Sequence, residues 1–333
     1  MPGEALRRAW MRRGALACFL WPVSLLFGRI VALRRSLFRL GLIKSQQVRV
    51  PVIIVGNVVA GGTGKTPVVI ALVEHLRARG VHCGVVSRGH GRNTRGCREV
   101  TPHSSAAEVG DEPLLIKLRG QVPVFVAARR AEAARALRAA HPTVQVIIGD
   151  DGLQHHALAR DIEICLFDQR GSGNGWLLPA GPLREPWPRP VDLVLSSGSP
   201  SGISGFKLSR RLADHAHRAD GERISLASLR GRPCKAVAGI ATPEAFFEML
   251  RSQGLELAET TPLPDHHDFE TISTKADPDF SLLCTEKDAV KLWRRQPGAW
   301  AVPLVLEIEP AFWSALDGLL KAKLSFVHGS ETS

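Results

Sequence analysis

VPVIIVGNVVAGGTGKTPVVIALVEHLRARG, residues 50–80, is the stretch that decides how this chain is read. Val50–Val55 is a short apolar run rich in β-branched residues, the pattern of a buried strand. The next segment, GNVVAGGTGKT (56–66), holds too many glycines to continue it. Pro67–Arg79 then sets Val69, Leu72, Val73 and Leu76 at helical spacing, and Gly80 is a fitting stop. Strand, glycine-rich loop, Gly-Lys-Thr and helix make a phosphate-binding arrangement. Glycines let main-chain N–H groups close around phosphate oxygens, and the helix N-terminus adds its partial positive charge. Val59, Ala60, Gly61, Gly62, Thr63, Gly64, Lys65 and Thr66 are the expected nucleotide-binding residues. Lys65 would reach the β- and γ-phosphates, and the Thr66 hydroxyl would ligate Mg²⁺. The strict pattern has a glycine where this chain has Val59; Gly56, Gly61 and Gly62 supply the turn instead.

Outward from the loop, Val144–Ile148 reads as another strand and delivers Gly149-Asp150-Asp151. Open α/β sheets place chemistry at the carboxyl ends of strands. Two adjacent carboxylates are costly unless a cation compensates. Asp150 and Asp151 are therefore expected to hold Mg²⁺, a solvated turn being the other reading. Strand-like runs recur at 81–86, 122–127, 162–167 and 191–195, with helical stretches at 112–119 and 129–140. This alternation predicts an α/β, P-loop NTPase-like, doubly wound and mostly parallel sheet. Later segments predict a smaller α/β unit: strands at 235–240, 255–259, 281–284 and 302–307, a helix at 243–253 and a closing helix at 311–324. The expected organisation is a basic helical segment (1–48), a P-loop core (49–230) and a C-terminal subdomain (231–333).

The charge of this 333-residue chain is uneven. Its net charge is +11, yet residues 1–50 hold ten Lys or Arg and one acid, Glu4. The body is nearly neutral, which excludes a diffuse nucleic-acid-binding surface. Six scattered cysteines with no C-x-x-C pair fit neither a disulfide framework nor a zinc site. The apolar run Ala15–Phe27 is short for a spanning helix, which needs about 20 residues, and Arg29, Arg34, Arg35 and Arg39 follow it. Beyond it, Ile30, Leu33, Leu37 and Leu40 share one helical face and Arg35 and Arg39 the other. With Trp10, Phe19, Trp21, Phe27 and Phe38, this reads as a basic amphipathic helix on a membrane surface. Deeper insertion of 15–27, or packing on its own domain, are the alternatives.

Seven segments, in order, resemble the tetraacyldisaccharide 4′-kinase family: GNVVAGGTGKTP (56–67), SRGHGR (87–92), VGDEPLL (109–115), GDDGLQHH (149–156), PAGPLREP (179–186), PDHHDF (264–269) and TEKDAVKL (285–292). Where the family commonly has Tyr this chain has His90, and the stretch Glu270–Leu283 is shorter. The resemblance implies phosphoryl transfer from ATP, with Mg²⁺, to the 4′-hydroxyl of a tetraacylated glucosamine disaccharide 1-phosphate in lipid A biosynthesis. It implies a place at the cytoplasmic face of the bacterial inner membrane, with a lipid surface and the acylated substrate as partners and no nucleic acid or obligate protein partner. It further implies that Asp111, in GDEP, is the base and a histidine of PDHH its catalytic partner, His266 by motif position with His267 the alternative. Read from its own neighbours, Asp111 before Glu112-Pro113 is equally a helix-capping residue. Arg88 and Arg184 are candidates for substrate or triphosphate contact. His155 and His156 are expected to order the DDGLQ turn, and Lys287 and Asp288 to form an ion pair. The competing reading is a membrane-associated P-loop ATPase of the partitioning type. That class has Lys before the paired glycines, where this chain has Ala60.

Overall fold

The computed structural model describes Leu6 and residues 8–200, 202–270 and 279–329, with side chains as far as Leu324 in the last helix. Glu4 and Arg7 of the N-terminal charge cluster, and residues 271–278 after His267, lie outside the described residues.

One long helix, α1 (Ala15–Arg39), runs continuous through Pro22. A nine-stranded sheet follows, built from β1 (Val52–Gly56), β2 (Cys83–Ser87), β3 (Arg98–Val100), β4 (Val124–Val126), β5 (Val146–Asp150), β6 (Ile162–Phe167), β7 (Leu193–Ser197) and β8 (Phe206–Leu212). Six further strands are β9 (His215–His217), β10 (Arg223–Ser225), β11 (Cys234–Ala238), β12 (Leu257–Pro262), β13 (Ser281–Thr285) and β14 (Trp300–Val302); β15 (Leu304–Ile308) returns to the first sheet. The first sheet runs β15-β8-β7-β6-β1-β5-β2-β4-β3, and the second β10-β9-β14-β13-β11-β12. In the first, only the edge strands β3 and β15 pair antiparallel.

The central strands β1, β2 and β5 are buried at every position, because helices cover both faces of the sheet. On one face α2 (Lys65–Ala78) contributes Val69, Leu72, Val73 and Leu76, joined by α3 (Ala106–Val109) and α4 (Asp111–Gly120). On the other, α5 (Arg130–Ala140) lays Ala131, Ala134 and Leu137 on Ile54 and Ile147. The second sheet is covered by α6 (Pro243–Ser252) through Phe246, Phe247 and Leu250, and by α7 (Glu286–Leu292).

Two sequence expectations change. The strand expected at 302–307 is two strands in different sheets. Pro303 has no N–H to give a ladder, and the chain crosses from β14 to β15 there. The expected cut at 230/231 does not coincide with the change of sheet: β9 and β10 already belong to the second sheet, whereas β15 and α8 (Pro310–Gly329) rejoin the first. There α8 adds Phe312, Leu316 and Leu320 to the core beside α2.

Candidate active site

Strand register assembles one side of the site. Val55 pairs with Asp150 and Val86 with Gly149, so the loops after β1, β5 and β2 leave the sheet side by side at its carboxyl edge. The first is the phosphate loop. Gly61 and Gly64 have φ of 103° and 79°, conformations an L side chain rarely adopts. Gly64 caps α2, so Lys65 and Thr66 open the helix, and Gly80 stops its far end in the left-handed region. Lys65 Nζ lies 3.5 Å from Asp151 Oδ1 and donates to Asn57 Oδ1 at 3.4 Å. Thr66 is buried, and the buried Thr63 hydroxyl has no hydrogen-bond partner.

The two aspartates are neighbours but unlike. Asp150 ends β5, takes the Ser87 Oγ–H at 3.2 Å, and keeps Oδ1 buried with no partner. Burial, with Glu112 and Asp151 nearby, pushes its carboxyl up to about 7. Asp151 turns out of the strand at φ 49°. Burial raises it too, but Lys65, Arg184 and Arg130 outweigh burial and hold it low. Arg184 Nη1 stands 3.5 Å from Asp151 Oδ1. Buried Arg130 donates to the carbonyls of Asp150 and Asp151 at 3.0 and 2.7 Å, which fixes the turn. The His155 ring accepts the Arg130 main-chain N–H at 3.3 Å, and burial lowers its pKa to about 4, so it is neutral at pH 7. His156 packs on Phe38 of α1. Among the described residues no cluster of His, Cys, Asp and Glu forms a separate metal centre.

The other side of the site joins α4, packed beside α2 in the first unit, to residues of the second unit. Asp111 opens α4, and its N-cap is Gly110, not Asp111. The carboxylate does accept the Glu112 N–H at 3.2 Å, but it also faces His266. His266 Nδ1 is 2.9 Å from Asp111 Oδ2, and Lys291 Nζ is 3.3 Å from the same oxygen. Burial alone would raise the Asp111 pKa; the His266 hydrogen bond, Lys287 and Lys291 together drive it far below the usual carboxylate range. The same bond raises the pKa of His266. Lys287 Nζ reaches Asp265 at 2.8 Å and His266 Nε2 at 3.5 Å. The expected Lys287–Asp288 ion pair is absent among the described contacts. Adjacent helical residues point about 100° apart, and Asp288 turns inward to Thr285 Oγ1 and the Gly239 N–H. His90 sets its ring edge against His266 at 5.6 Å. Arg88 is exposed and makes no hydrogen bond or ion pair among the described residues.

The second unit closes on the loop: a Cβ built on Gly62 would stand 3.4 Å from that of Ala241. Sequence reading passed over Asn57, Ser87, Arg130, Arg170, Arg210 and Lys291, and expected of Lys287 only an ion pair with Asp288. Asn57, Ser87 and the lysines lie inside GNVVAGGTGKTP, SRGHGR and TEKDAVKL, whereas the three arginines carried no signal.

Among the described helices α1 alone is long and apolar enough to cross a bilayer, with mean hydropathy 2.0 over its most apolar 18 residues. Phe19 is 81% exposed, and Leu26, Ile30 and Leu33 are more than half exposed. A narrow stripe does pack on the domain. Buried Ser24 donates to Leu177 O at 2.8 Å and accepts the Ala180 N–H at 2.9 Å.

A nucleotide-shaped loop opening the first helix of a doubly wound sheet, opposed by acids from neighbouring strands, defines the class of P-loop phosphotransferases and NTPases. Within that class the chain belongs to the Tetraacyldisaccharide-1-P 4′-kinase family, whose profile matches residues 16–321. It is 58% identical over 327 residues to the tetraacyldisaccharide 4′-kinase of Acidovorax sp. (strain JS42), covering 98% of this chain and 97% of the relative. The corresponding kinase of Delftia acidovorans (strain DSM 14801 / SPH-1) is 56% identical over 332 residues, covering 97% and 98%. A crystal structure of LpxK from Aquifex aeolicus in complex with ATP matches with a TM-score of 0.79 at 29% identity, over 92% of this chain and 99% of that one.

Proposed function

We infer that the chain transfers the γ-phosphoryl group of ATP to the 4′-hydroxyl of a tetraacylated glucosamine disaccharide 1-phosphate. The observation that carries this reading is the Asp111–His266 pair, a buried ionised carboxylate at the start of α4 held against a histidine of the second unit. A sugar hydroxyl needs a proton acceptor, and Asp111 is ionised at neutral pH. His266, donating from Nδ1, orients that carboxylate; Lys287 beside Nε2 favours the tautomer that can do so. Lys65 and the loop amides hold the triphosphate, and Arg184 adds positive charge beside Asp151. Arg88, exposed and uncommitted, is available to the substrate's own phosphate.

The chain's donors fit a magnesium ion. Asp150 Oδ1 is a buried oxygen without a partner on a carboxyl disfavoured as an anion, and Thr66 is buried where its helix begins. Asp150, Asp151 and Thr66 would hold Mg²⁺, which supplies charge neutralisation on the transferring phosphate.

The exposed apolar face of α1, flanked by Arg29, Arg34, Arg35 and Arg39, supports residence on an anionic bilayer, at the inner membrane's cytoplasmic face where ATP and the acylated substrate meet. The partitioning-ATPase reading is set aside, since the kinase family match extends over residues 16–321.

Incubation with labelled ATP, Mg²⁺ and the acylated disaccharide 1-phosphate should place a second phosphate on the lipid. Asp111→Asn should lower kcat by ~10²-fold or more with KM for ATP little changed. An unchanged kcat would reduce Asp111 to a structural carboxylate at a helix start.

A further inference from the structure

The phosphate loop is gripped from behind. Asn57 Nδ2 donates to Val59 O at 2.6 Å and to Gly61 O at 3.4 Å. Arg170 donates from Nη1 to Ala60 O at 3.4 Å and from Nη2 to Gly62 O at 3.5 Å. Arg210 Nη2 donates to Thr63 O at 2.7 Å. Three side chains thus engage every carbonyl from Val59 to Thr63. In a trans peptide the N–H points opposite to the C=O of the same unit. The amides of Gly61, Gly62, Thr63 and Gly64 therefore point away from these side chains. Among the described residues none of the four has an acceptor. Amides left open in succession form a concavity for an anion.

Two of the three grips are remote in sequence. Arg170 lies in the loop after β6 and is itself fixed by Asp168, whose carboxylate takes Nε at 3.0 Å and Nη2 at 2.6 Å. Arg210 arrives from β8. It forms no ion pair among the described residues, and its guanidinium fills the space a Cβ on Gly64 would need. Neither lies in a segment that carried the nucleotide reading.

We propose that Arg170 and Arg210 are positioning residues for phosphoryl transfer, locking the outward carbonyls of the phosphate loop so that its inward amides are set for the triphosphate before it arrives. This rests on the ATP reading above. It differs from simple charge attraction in one respect. A lysine at 170 keeps the charge, but a single ammonium cannot span Asp168, Ala60 O and Gly62 O as a planar fork does.

The test compares full-length wild type with Arg170→Lys, Arg210→Met and Asp168→Asn; the last loosens Arg170 without touching the loop. Binding of a non-hydrolysable ATP analogue is measured by calorimetry, and transfer by steady-state kinetics. The expected result is a Kd and a KM for ATP raised roughly tenfold in the two arginine variants and less in Asp168→Asn, with kcat at saturating ATP within about threefold, and an unchanged KM for the acylated acceptor and unchanged Tm. Wild-type analogue affinity in Arg170→Lys and Arg210→Met overturns the proposal. Full retention in Arg170→Lys alone reduces that residue to a charge and overturns its part. A fall in kcat at unchanged Kd also overturns it, by moving the arginines onto the reacting phosphate. Wild type that binds no analogue would instead sink the ATP reading itself.

Discussion

Asp111 and His266 show how one contact sets two protonation states. The carboxylate is held ionised and the imidazole is made easier to protonate, each at the other's expense of freedom. The raised histidine contributes stability that is fully present below its ordinary value near 6.5 and is lost as pH climbs through its folded value. The depressed Asp111 contributes stability above its ordinary value near 3.9 and loses it only as pH falls through its folded value. Both contributions are present together near pH 6. His266→Ala should therefore lower Tm more at pH 6 than at pH 9. Equal losses at the two pH values, followed by thermal melts, would mean that the ring contributes packing and not charge. In TEKDAVK, Lys287 and Lys291 turned out to serve this pair, because one helical turn brings positions four apart onto a common face.

At the scale of elements, α1 and residues 174–184 act as one piece. Trp10 Nε1 donates to Pro179 O, Ser24 bridges Leu177 and Ala180, and Trp21 packs on Trp176. The far side of the same segment bonds the phosphate loop: Ala60 N–H to Pro182 O at 2.8 Å and Arg184 N–H to Val58 O at 2.7 Å. The exposed apolar helix is thereby joined to the phosphate loop through one hydrogen-bonded segment. Ser24→Val strands the Ala180 N–H in a buried place and leaves Leu177 O with the Gly181 N–H alone, a loss of about 1–3 kcal/mol. It should appear as a lowered Tm and faster proteolysis between 174 and 184; unaltered cleavage would show that the segment stands without the helix. Replacing Arg29, Arg34, Arg35 and Arg39 by alanine should weaken binding to anionic vesicles at least ~10-fold, since each arginine near the surface contributes about 1 kcal/mol. Retention in a flotation assay at wild-type level would argue for insertion driven by the apolar face alone.

For the whole molecule, the decisive feature is the return of β15 and α8 to the first sheet. Phe312, Leu316 and Leu320 complete the core against α2, so the two units share structure that lies at opposite ends of the chain. A fragment ending at 230 would leave that face of the core open and the edge of β8 unpaired. It should bind a hydrophobic dye and melt without a cooperative transition. A sharp melt from that fragment would show that the core folds without its closing elements.

The phosphate loop, the paired aspartates and the apolar helix were legible in the residues because each is a local pattern: contiguous strand, glycines and helix, or one run of apolar side chains. Strand positions came within a few residues for the same reason. Spacing along the chain left open the relations across it, and only the family resemblance paired Asp111 with His266. The Asp111–His266 contact spans 155 residues and the Arg210–Thr63 contact 147. Neither arginine grip has a sequence motif, because its donor fork needs only to arrive, not to be spaced from anything. Whether the Asp111 carboxylate caps a helix or faces a histidine was likewise open, since both begin with the same residue before the same proline. Only the folding of the second sheet over the first, which brings PDHH against GDEP, decides it.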